Sequence, residues 1–388
     1  MADNLLDKVL GAVIGATIGD SIGAVVEFNT RENMKKRLGG KEWIENMHSF
    51  MDIREGPFGV FKNDPPRGTG TDDTRLNQIF LESVIRNKSL ISSQLLAIEY
   101  INRYQNPENY YPKTIDLAKR HMSYFYPVCC AYLGMKDLDI SEVKEHPIYL
   151  SDMNGFPMLS GLLSLQSAGL LYQDEPIKAY EKTIELDLFD IGYAKDATAI
   201  LSAMVSSALS SRQRSASEII DNGIKTNPYR LGGSEGKKRI MTCEDPFFQD
   251  GPSLPRLFRA VDRSNTDREA VLSLARESQY LHPFDPLDIL GVPMAIIRYT
   301  EGDPVRSLLM AANHRNVDEK GNLVSLRDID CVAMVTGVLV GAMNGVESFP
   351  KNWVKDVISA NIDVYGFNIE KTAKKFYKTV YGKNSLTF

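Results

Sequence analysis

The sequence predicts an all-α fold, and three observations support this prediction. Apolar residues recur at the i, i+3, i+4 spacing of a buried helix face in residues 95–104, 194–209, 267–276 and 352–360. Runs of alternating β-branched residues are scarce, so strands should be a minor feature. No stretch has the composition of an interdomain linker, and no repeat of solenoid period occurs. We therefore expect residues 1–388 to form a single domain with long loops.

The composition excludes several classes of protein. There are 45 Lys and Arg against 50 Asp and Glu, a net charge of −5, whereas a protein that neutralises nucleic-acid phosphates needs a basic excess. The four cysteines show no CxxC spacing, which argues against a disulfide scaffold or a cysteine-type zinc site and favours reduced thiols in the cytoplasm. No HExxH motif occurs among the five histidines, so a zinc hydrolase of that type is excluded.

The first predicted element is a long apolar helix over residues 9–28. Its length approaches that of a membrane span, but Asp20 and Glu27 interrupt it, and a charge at the centre of a membrane costs about 2.5–3.5 kcal/mol. Asp3 and Asp7 precede it, where a secretory signal would carry basic residues. We interpret the segment as a buried helix and expect no membrane association.

Glycines four residues apart line this helix and a second one near residue 340: Gly11, Gly15, Gly19 and Gly23, then Gly337, Gly341 and Gly345. Each glycine inside a helix costs about 1 kcal/mol relative to alanine. Close approach of two helix backbones is the natural compensation. The sequence leaves open whether this packing serves the core alone or also holds acidic residues at the helix ends in fixed positions.

Two pairs of aspartates stand at the starts of predicted helices. Asp72 and Asp73, preceded by Thr71, open the helical segment 75–86, and Asp328 and Asp330 come before the second glycine-lined helix. Such residues commonly cap helix N-termini. Carboxylates gathered from several segments are also the hard ligands that Mg²⁺, Mn²⁺ or Ca²⁺ prefer. From the residues alone, both interpretations remain open.

In this order and spacing, the motifs resemble those of the ADP-ribosylglycohydrolase family. The likeness covers residues 11–28, the Thr-Asp-Asp-Thr motif at 71–74, and residues 327–353, which run from Arg-Asp-Ile-Asp through the second glycine-lined helix to Trp353. Asn154-Gly155-Phe156 is a weaker likeness to the family's Asn-Gly loop. The resemblance implies an orthogonal α-helical bundle with a cleft that holds two Mg²⁺ ions, or Mn²⁺ in some members.

The resemblance also implies roles for individual residues. Glu27 would act near the metal ions on water or the ribose, with Asp73 as a second catalytic residue, and Asp20 would fix the first helix through hydrogen bonds. Asn154, Gly155 and Phe156 would line the substrate pocket. The implied metal ligands are Thr71, Asp72, Asp73, Asp328 and Asp330, with Cys331 at the position where the family usually has Thr or Ser.

The implied activity is hydrolysis of the glycosidic bond at ribose C1 of an ADP-ribosyl group attached to a protein or a small compound. Such a reaction passes through an oxocarbenium-like transition state. Divalent ions can hold the ribose hydroxyls and lower the pKa of a water molecule. A nearby carboxylate can then act as general base or protonate the leaving group.

Several positions depart from the family's pattern. The thiol of Cys331 is a soft ligand and suits Mg²⁺ poorly. Arg327 replaces a common glycine, residues 314–326 are longer than the usual turn, and residues 189–193 lack a histidine that many members have. Two alternatives therefore stay open. One is a catalytically impaired protein that binds ADP-ribose or a partner, for example as an immunity factor against a toxin. The other is a hydrolase of a nucleoside-like N-riboside.

Each of two further clusters has a ligand-binding interpretation and a structural one. Tyrosines between residues 100 and 132 could stack on a nucleotide base, or pack with one end in water. Lys237, Lys238 and Arg239, beside Gly232 and Gly233, could bind a diphosphate, or form a solvated basic loop. His282, Asp285 and Asp288 are close in sequence and could border the cleft.

Overall fold

Helices and one small β-hairpin make up the computed structural model of this chain. The structure describes residues 2–49, 65–135, 159–190, 192–226, 253–279 and 281–382. Within these ranges the α-helices are α1 (Ala2–Ala24), α2 (Arg31–Arg37), α3 (Asp72–Arg86), α4 (Ser93–Gln105), α5 (Ile115–Met122), α6 (Tyr126–Tyr132), α7 (Ser160–Leu165), α8 (Pro176–Leu186), α9 (Gly192–Ala208), α10 (Ala216–Lys225), α11 (Leu254–Asp262), α12 (Asp267–Ser278), α13 (Val292–Tyr299), α14 (Pro304–Ala312), α15 (Ile329–Asn344), α16 (Lys351–Tyr365) and α17 (Ile369–Tyr381). The all-α prediction is confirmed.

Shorter turns complete the helical architecture. Pro107–Asn109, Ala168–Leu171 and Val346–Ser348 form 3₁₀ turns, and Leu287–Gly291 forms a π-helical turn directly before α13. The four segments predicted from apolar spacing correspond to α4, α9, α12 and α16, each within a few residues of the expected bounds at one or both ends.

The first helix differs from its predicted bounds. It ends at Ala24, and residues 25–28 form a turn in which Phe28 adopts a positive φ of +52°. Since this left-handed conformation cannot continue an α-helix, Glu27 lies in the turn and not on the helix. The helix itself is buried from Val9 onward, as expected for one that is apolar all round. Among the described residues, no helix combines the length and apolar character that a membrane crossing requires.

Helices α1 and α15 pack against each other with their glycine stripes in register. A Cβ atom built on Gly15 would lie 2.4 Å from the carbonyl oxygen of Gly337, and one built on Gly337 would lie 2.0 Å from that of Gly15. Gly11 and Gly341 face each other at equally short distances of 2.4 and 2.0 Å. Side chains larger than hydrogen would therefore collide with backbone, and the predicted close approach is confirmed.

A hairpin formed by β1 (Arg315–Val317) and β2 (Leu323–Leu326) occupies most of residues 314–326. Its strands are antiparallel, with Arg315 opposite Leu326 and a register shift after Asn316. The chain after α1 continues this small sheet. Leu326 donates a backbone hydrogen bond to Asn29 (2.9 Å), and Phe28 donates one to Arg327 (3.3 Å). This pairing places Glu27 beside Asp328.

Candidate metal centre

A buried carboxylate of α1 fixes the N-terminus of α3. Asp20 accepts hydrogen bonds from the backbone N–H groups of Thr71 (2.8 Å) and Thr74 (3.1 Å) and from their hydroxyls (2.8 and 2.5 Å). Thr71 is the N-cap of α3 and accepts from the N–H of Asp73 at 3.4 Å. Because Asp20 and Thr71 take these backbone groups, the carboxylates of Asp72 and Asp73 are not needed as caps.

Helix α16 holds the loop that leads into α3. The Asn361 side chain donates to the carbonyl of Gly68 (3.1 Å) and accepts from the N–H of Gly70 (3.3 Å). One turn later, the Tyr365 hydroxyl donates to the carbonyl of Gly70 (2.5 Å) and accepts from Arg75 (2.9 Å). These side chains are buried, so hydrogen bonds shielded from water hold the backbone before the first aspartate pair against α16.

The N-terminus of α15 is arranged differently. Asp328 occupies the N-cap position, but its side chain makes no capping hydrogen bond. The glycine stripe of α1 reaches this point, because a Cβ on Gly23 would lie 2.4 Å from the amide nitrogen of Asp330. Because the Asp328 side chain accepts no hydrogen bond from a backbone N–H group at the start of α15, the N-cap interpretation is wrong for this residue. The position of the second aspartate pair follows from backbone packing.

A buried ion-pair network supports the same helix start from the outside. The Arg327 guanidinium donates to Asp288 (2.7 Å), to Asn316 (2.7 Å) and to the carbonyl of Leu281 (2.8 Å). The His314 Nε2 atom lies 2.8 Å from the other carboxylate oxygen of Asp288. Arg327 thus has a buried carboxylate partner in Asp288. This carboxylate serves a buried network at the base of α15.

Asp73 at the start of α3 and both aspartates at the start of α15 meet in one cluster, whereas the Asp72 carboxylate is not among these converging groups and lies 4.0 Å from His121 Nε2. Carboxylate oxygens of Asp20, Asp73 and Asp330 lie within 4.8 Å of one another, as do the ligand atoms of Asp328, Asp330 and Cys331. The Oδ2 atom of Asp73 is buried and has no hydrogen-bond partner. A buried carboxylate oxygen without a donor is costly, and a hard divalent cation is a suitable partner for it. The residues present fit a metal centre.

The electrostatics of the cluster also favour a bound cation. Burial raises the pKa of Asp72 to about 7 and that of Asp20 to about 6. Burial, followed by the charge of Asp330, raises the pKa values of Asp73 and Asp328 well above the usual range. Carboxylates this close cannot all be ionised at neutral pH unless positive charge is brought among them.

Cys331 lies inside this cluster. Its thiol donates to Asp73 Oδ1 at 3.8 Å. Burial, followed by the charges of the surrounding aspartates, raises the pKa of this thiol well above its usual range. Protonated sulfur is a poor metal ligand, so the hard ligands available are the carboxylates and the Thr71 hydroxyl.

Glu27 lies at the edge of the cluster. It is half-buried in the turn after α1, and its charge contributes to the raised pKa values of Asp328 and Cys331. The predicted substrate residues Asn154, Gly155 and Phe156 lie outside the described residues, as do Lys237, Lys238 and Arg239.

The tyrosines between residues 100 and 132 favour the simpler interpretation. Tyr100 and Tyr111 are buried, and the ring of Tyr104 stacks on that of Tyr126 with centroids 4.2 Å apart. Tyr132 is 50% exposed. These rings chiefly pack among themselves and with neighbouring helices.

Several residues that shape the site were not predicted from the sequence: Arg75, Asn361, Tyr365 and Gln166, whose side-chain amide donates to the backbone carbonyl of Asp73 at 3.2 Å. A charged residue three positions after Asp72 on a buried helix was an available signal for Arg75. The other three carry no local signal, since their partners lie about 90 to 290 residues away.

Comparison with known proteins shows the family and the fold of this chain. A family model described as ADP-ribosylglycohydrolase matches residues 1–385. No curated protein matches the sequence. Among solved structures, a chain described as an ADP-ribosylglycohydrolase-related protein complex is similar in fold, with a TM-score of 0.54 and 17% identity over 97% of this chain and 99% of that chain. Since the family match spans nearly the whole sequence, this chain belongs to the ADP-ribosylglycohydrolase family.

Proposed function

We propose that this protein is a divalent-cation-dependent hydrolase that cleaves the glycosidic bond at ribose C1 of an ADP-ribosyl group carried by a protein or a small compound. Membership of the family supports glycohydrolase activity in general. One observation carries the metal dependence. Asp73 Oδ2 is buried without a partner, and Asp73, Asp20 and Asp330 present carboxylate oxygens within 4.8 Å of one another.

In this proposal two Mg²⁺ ions, or Mn²⁺, bind the hard ligands Thr71, Asp72, Asp73, Asp328 and Asp330. When bound, such ions orient the ribose hydroxyls and lower the pKa of water. Asp20 supports the centre from outside, because its oxygens are occupied by Thr71 and Thr74. Cys331 replaces a possible oxygen ligand, which weakens one of the two ion sites.

Glu27 is the proposed general acid or base, with Asp73 as the second catalytic carboxylate. The pairing of Phe28 with Arg327 holds Glu27 beside Asp328, where it can exchange a proton with water or with the leaving group. Asn154, Gly155 and Phe156 remain the proposed lining of the substrate pocket.

The proposal is tested by coupling metal binding to stability and to turnover. Added Mg²⁺ should raise the melting temperature of the wild type through linkage, and by less in Asp73→Ala and Asp330→Ala. Asp363→Ala, at an exposed position of α16, is the matched control and should respond like the wild type. Release of ADP-ribose from ADP-ribosylated protein should stop with EDTA and in both site variants. Equal Mg²⁺ responses in all four proteins would contradict the metal centre.

A second candidate is a binding protein on the same fold that has lost turnover, for example an immunity factor. The observation that favours it is the Cys331 thiol, which occupies the cluster 3.8 Å from Asp73. Calorimetry with ADP-ribose, alongside assays of product release, separates the candidates. Tight binding without release from any ADP-ribosyl compound would favour the binder.

We also propose a single domain, acting in the cytoplasm without nucleic-acid or membrane partners. The single domain is supported by the packing of α1 on α15, about 300 residues later in the chain. The cytoplasmic location is supported by Cys129, Cys130 and Cys331, which are all free and buried, as expected for a reducing compartment.

A further inference from the structure

Two exposed phenylalanines lie beside each other at the border of the acidic cluster. Phe28 is 41% exposed and Phe284 is 37% exposed. Their ring centroids are 5.9 Å apart with an interplanar angle of 85°, and the ring of His282 lies 5.2 Å from that of Phe284. Large apolar side chains that are grouped at the surface commonly mark a binding site.

The backbone at Phe28 shows that this position is constrained. Its φ of +52° costs a residue other than glycine about 1–2 kcal/mol. The conformation is held by the Phe28 N–H, which donates to Arg327, and by the Asn29 carbonyl, which accepts from Leu326. The same bend places Glu27 beside Asp328. Backbone strain of this kind is typical of functional sites, and here one bend serves both the carboxylate and the ring.

Apart from Glu27, which the proposed function assigns to proton transfer, the charged groups Arg327 and Asp285 next to the two rings are already hydrogen-bonded to other groups of the protein. The Arg327 guanidinium is bonded to Asp288, Asn316 and a backbone carbonyl. The buried Asp285 carboxylate accepts from the N–H of Leu287 (2.9 Å) and the hydroxyl of Tyr193 (3.3 Å). Recognition at this patch therefore depends on ring surfaces, which favour a flat aromatic ligand through stacked or edge-on contact.

We infer that Phe28 and Phe284 form a subsite for a planar heteroaromatic leaving group joined to ribose C1. The inference rests on the proposed function, because it places the ribosyl group on the acidic cluster and the leaving ring beyond Glu27. In the reaction, the electron pair of the breaking C1–N bond passes to the ring nitrogen, a C1–O bond forms with water, and the proton of that water goes to Glu27. A cationic ring such as nicotinamide then departs as a neutral base without a proton, whereas a ring that would leave as an anion takes the proton up. An aromatic N-riboside is then a better substrate than an ADP-ribosyl amino acid.

Three probes that share ADP-ribose and differ in the leaving group test this subsite. They are nicotinamide adenine dinucleotide, ADP-ribosyl-arginine and a peptide with ADP-ribosyl-serine. Phe284→Leu should lower kcat/KM for the nicotinamide compound at least fivefold, since stacking on an aromatic side chain contributes about 1–3 kcal/mol per ring. Phe284→Tyr should stay within twofold of the wild type. Tyr132→Leu, which also removes an exposed aromatic ring, is the matched control and should change none of the three rates.

The pattern across probes decides the outcome. A loss confined to the nicotinamide compound supports the subsite. An equal loss on ADP-ribosyl-arginine would overturn the assignment in favour of a planar cation. An equal loss on all three probes, or no loss on the nicotinamide compound, would overturn it as well.

A binding measurement separates this inference from the proposed function. Saturation-transfer NMR with free nicotinamide requires no turnover. We expect a signal with wild type and Phe284→Tyr and at least a fivefold weaker one with Phe284→Leu. If no probe is hydrolysed but this pattern appears, the proposed hydrolase is wrong and the aromatic subsite stands. If wild type gives no signal, the subsite is overturned.

Discussion

The starts of α3 and α15 bring aspartates to the same point by different means. At α3, side chains do the positioning: Asp20 binds Thr71 and Thr74, and Asn361 and Tyr365 hold the preceding loop. At α15, the N-cap Asp328 makes no capping hydrogen bond. There the backbone of α1 lies directly against the helix, so that glycine contacts set the position.

The two helix starts differ in which groups satisfy their backbone N–H groups. A helix start needs partners for its backbone N–H groups, and at α3 these partners come from residues outside the aspartate pair. At α15 the partners are partly local, since Asp330 accepts from the N–H of Cys331 at 2.9 Å. We therefore expect α3 to tolerate loss of one polar contact, and α15 to be sensitive to any change in backbone packing.

The largest effect should come from the glycine seam. In Gly337→Ala the new Cβ would lie 2.0 Å from the Gly15 carbonyl oxygen, which forces α1 and α15 apart. Overpacking costs about 1–3 kcal/mol where side chains can yield, and here only backbone could move, so we expect about 3 kcal/mol or more. Gly382→Ala, with 3.9 Å to its nearest neighbour, is the control. Urea unfolding measures both, and similar midpoints would contradict the seam.

The ion-pair network behind α15 should come next. Asp288→Ala leaves Arg327 buried without its carboxylate and removes the partner of His314. Breaking one side of a buried pair typically costs about 3–5 kcal/mol, and we expect the lower end of this range because Arg327 keeps Asn316 and the Leu281 carbonyl as partners. Since Arg327 precedes Asp328, the variant should also weaken Mg²⁺ binding, which the Mg²⁺ dependence of the melting temperature reports. Disrupting the exposed pair of Lys374 and Glu370 with Glu370→Ala should have little effect. An unchanged Mg²⁺ response in Asp288→Ala would show that the network serves stability alone.

Without a divalent cation, stability should fall as pH rises. The folded-state pKa values of Asp20 and Asp72 are raised by burial to about 6 and about 7. A carboxyl group with a raised pKa favours the folded state fully only below its unfolded pKa of about 4. That contribution is lost as pH rises through the folded value.

Urea unfolding in EDTA between pH 4.5 and 8 measures this loss, and Mg²⁺ should reduce it. Part of the pH dependence should not respond to Mg²⁺. It is expected from Asp196, which accepts a hydrogen bond from Tyr180 and whose pKa is raised by burial to about 6. Stability that rose steadily across this range in EDTA would be evidence against charge repulsion in the cluster.

A smaller effect is expected on the α3 side. Tyr365→Phe removes the hydroxyl that joins Arg75 to the carbonyl of Gly70, at a cost of about 1–3 kcal/mol for the buried groups left without a partner. Because Asp20 and Asn361 still hold this region, Mg²⁺ affinity should fall only severalfold. Tyr381→Phe, which removes a hydroxyl bonded to Leu170, is the control for stability. A complete loss of the Mg²⁺ response in Tyr365→Phe would contradict the redundancy at α3.

The sequence predicted the seam and the aspartate pairs because both are local patterns. Glycines four residues apart predict which faces of two helices can approach closely. Paired aspartates at a helix start can be recognised from a few neighbouring residues of the sequence. The supports were not predictable in the same way. Asn361 and Tyr365 reach Gly68 and Gly70 across nearly 300 residues. The carboxylate that pairs with Arg327 belongs to Asp288, which lies in a π-helical turn 39 residues earlier.

The smallest effect is expected from replacing Cys331. The thiol lies among carboxylates, 3.8 Å from Asp73 Oδ1, and burial raises its pKa, so it offers a proton where a metal ion requires a lone pair. Cys331→Thr supplies a hard oxygen at the same place and should tighten Mg²⁺ binding a fewfold. Cys331→Val, which removes the sulfur and supplies no oxygen, is the control and should not tighten it. Calorimetric titration with Mg²⁺ distinguishes the variants. If Thr and Val change the affinity equally, residue 331 contributes only packing. If Thr alone tightens binding, the α15 side of the centre lacks one oxygen ligand in the wild type.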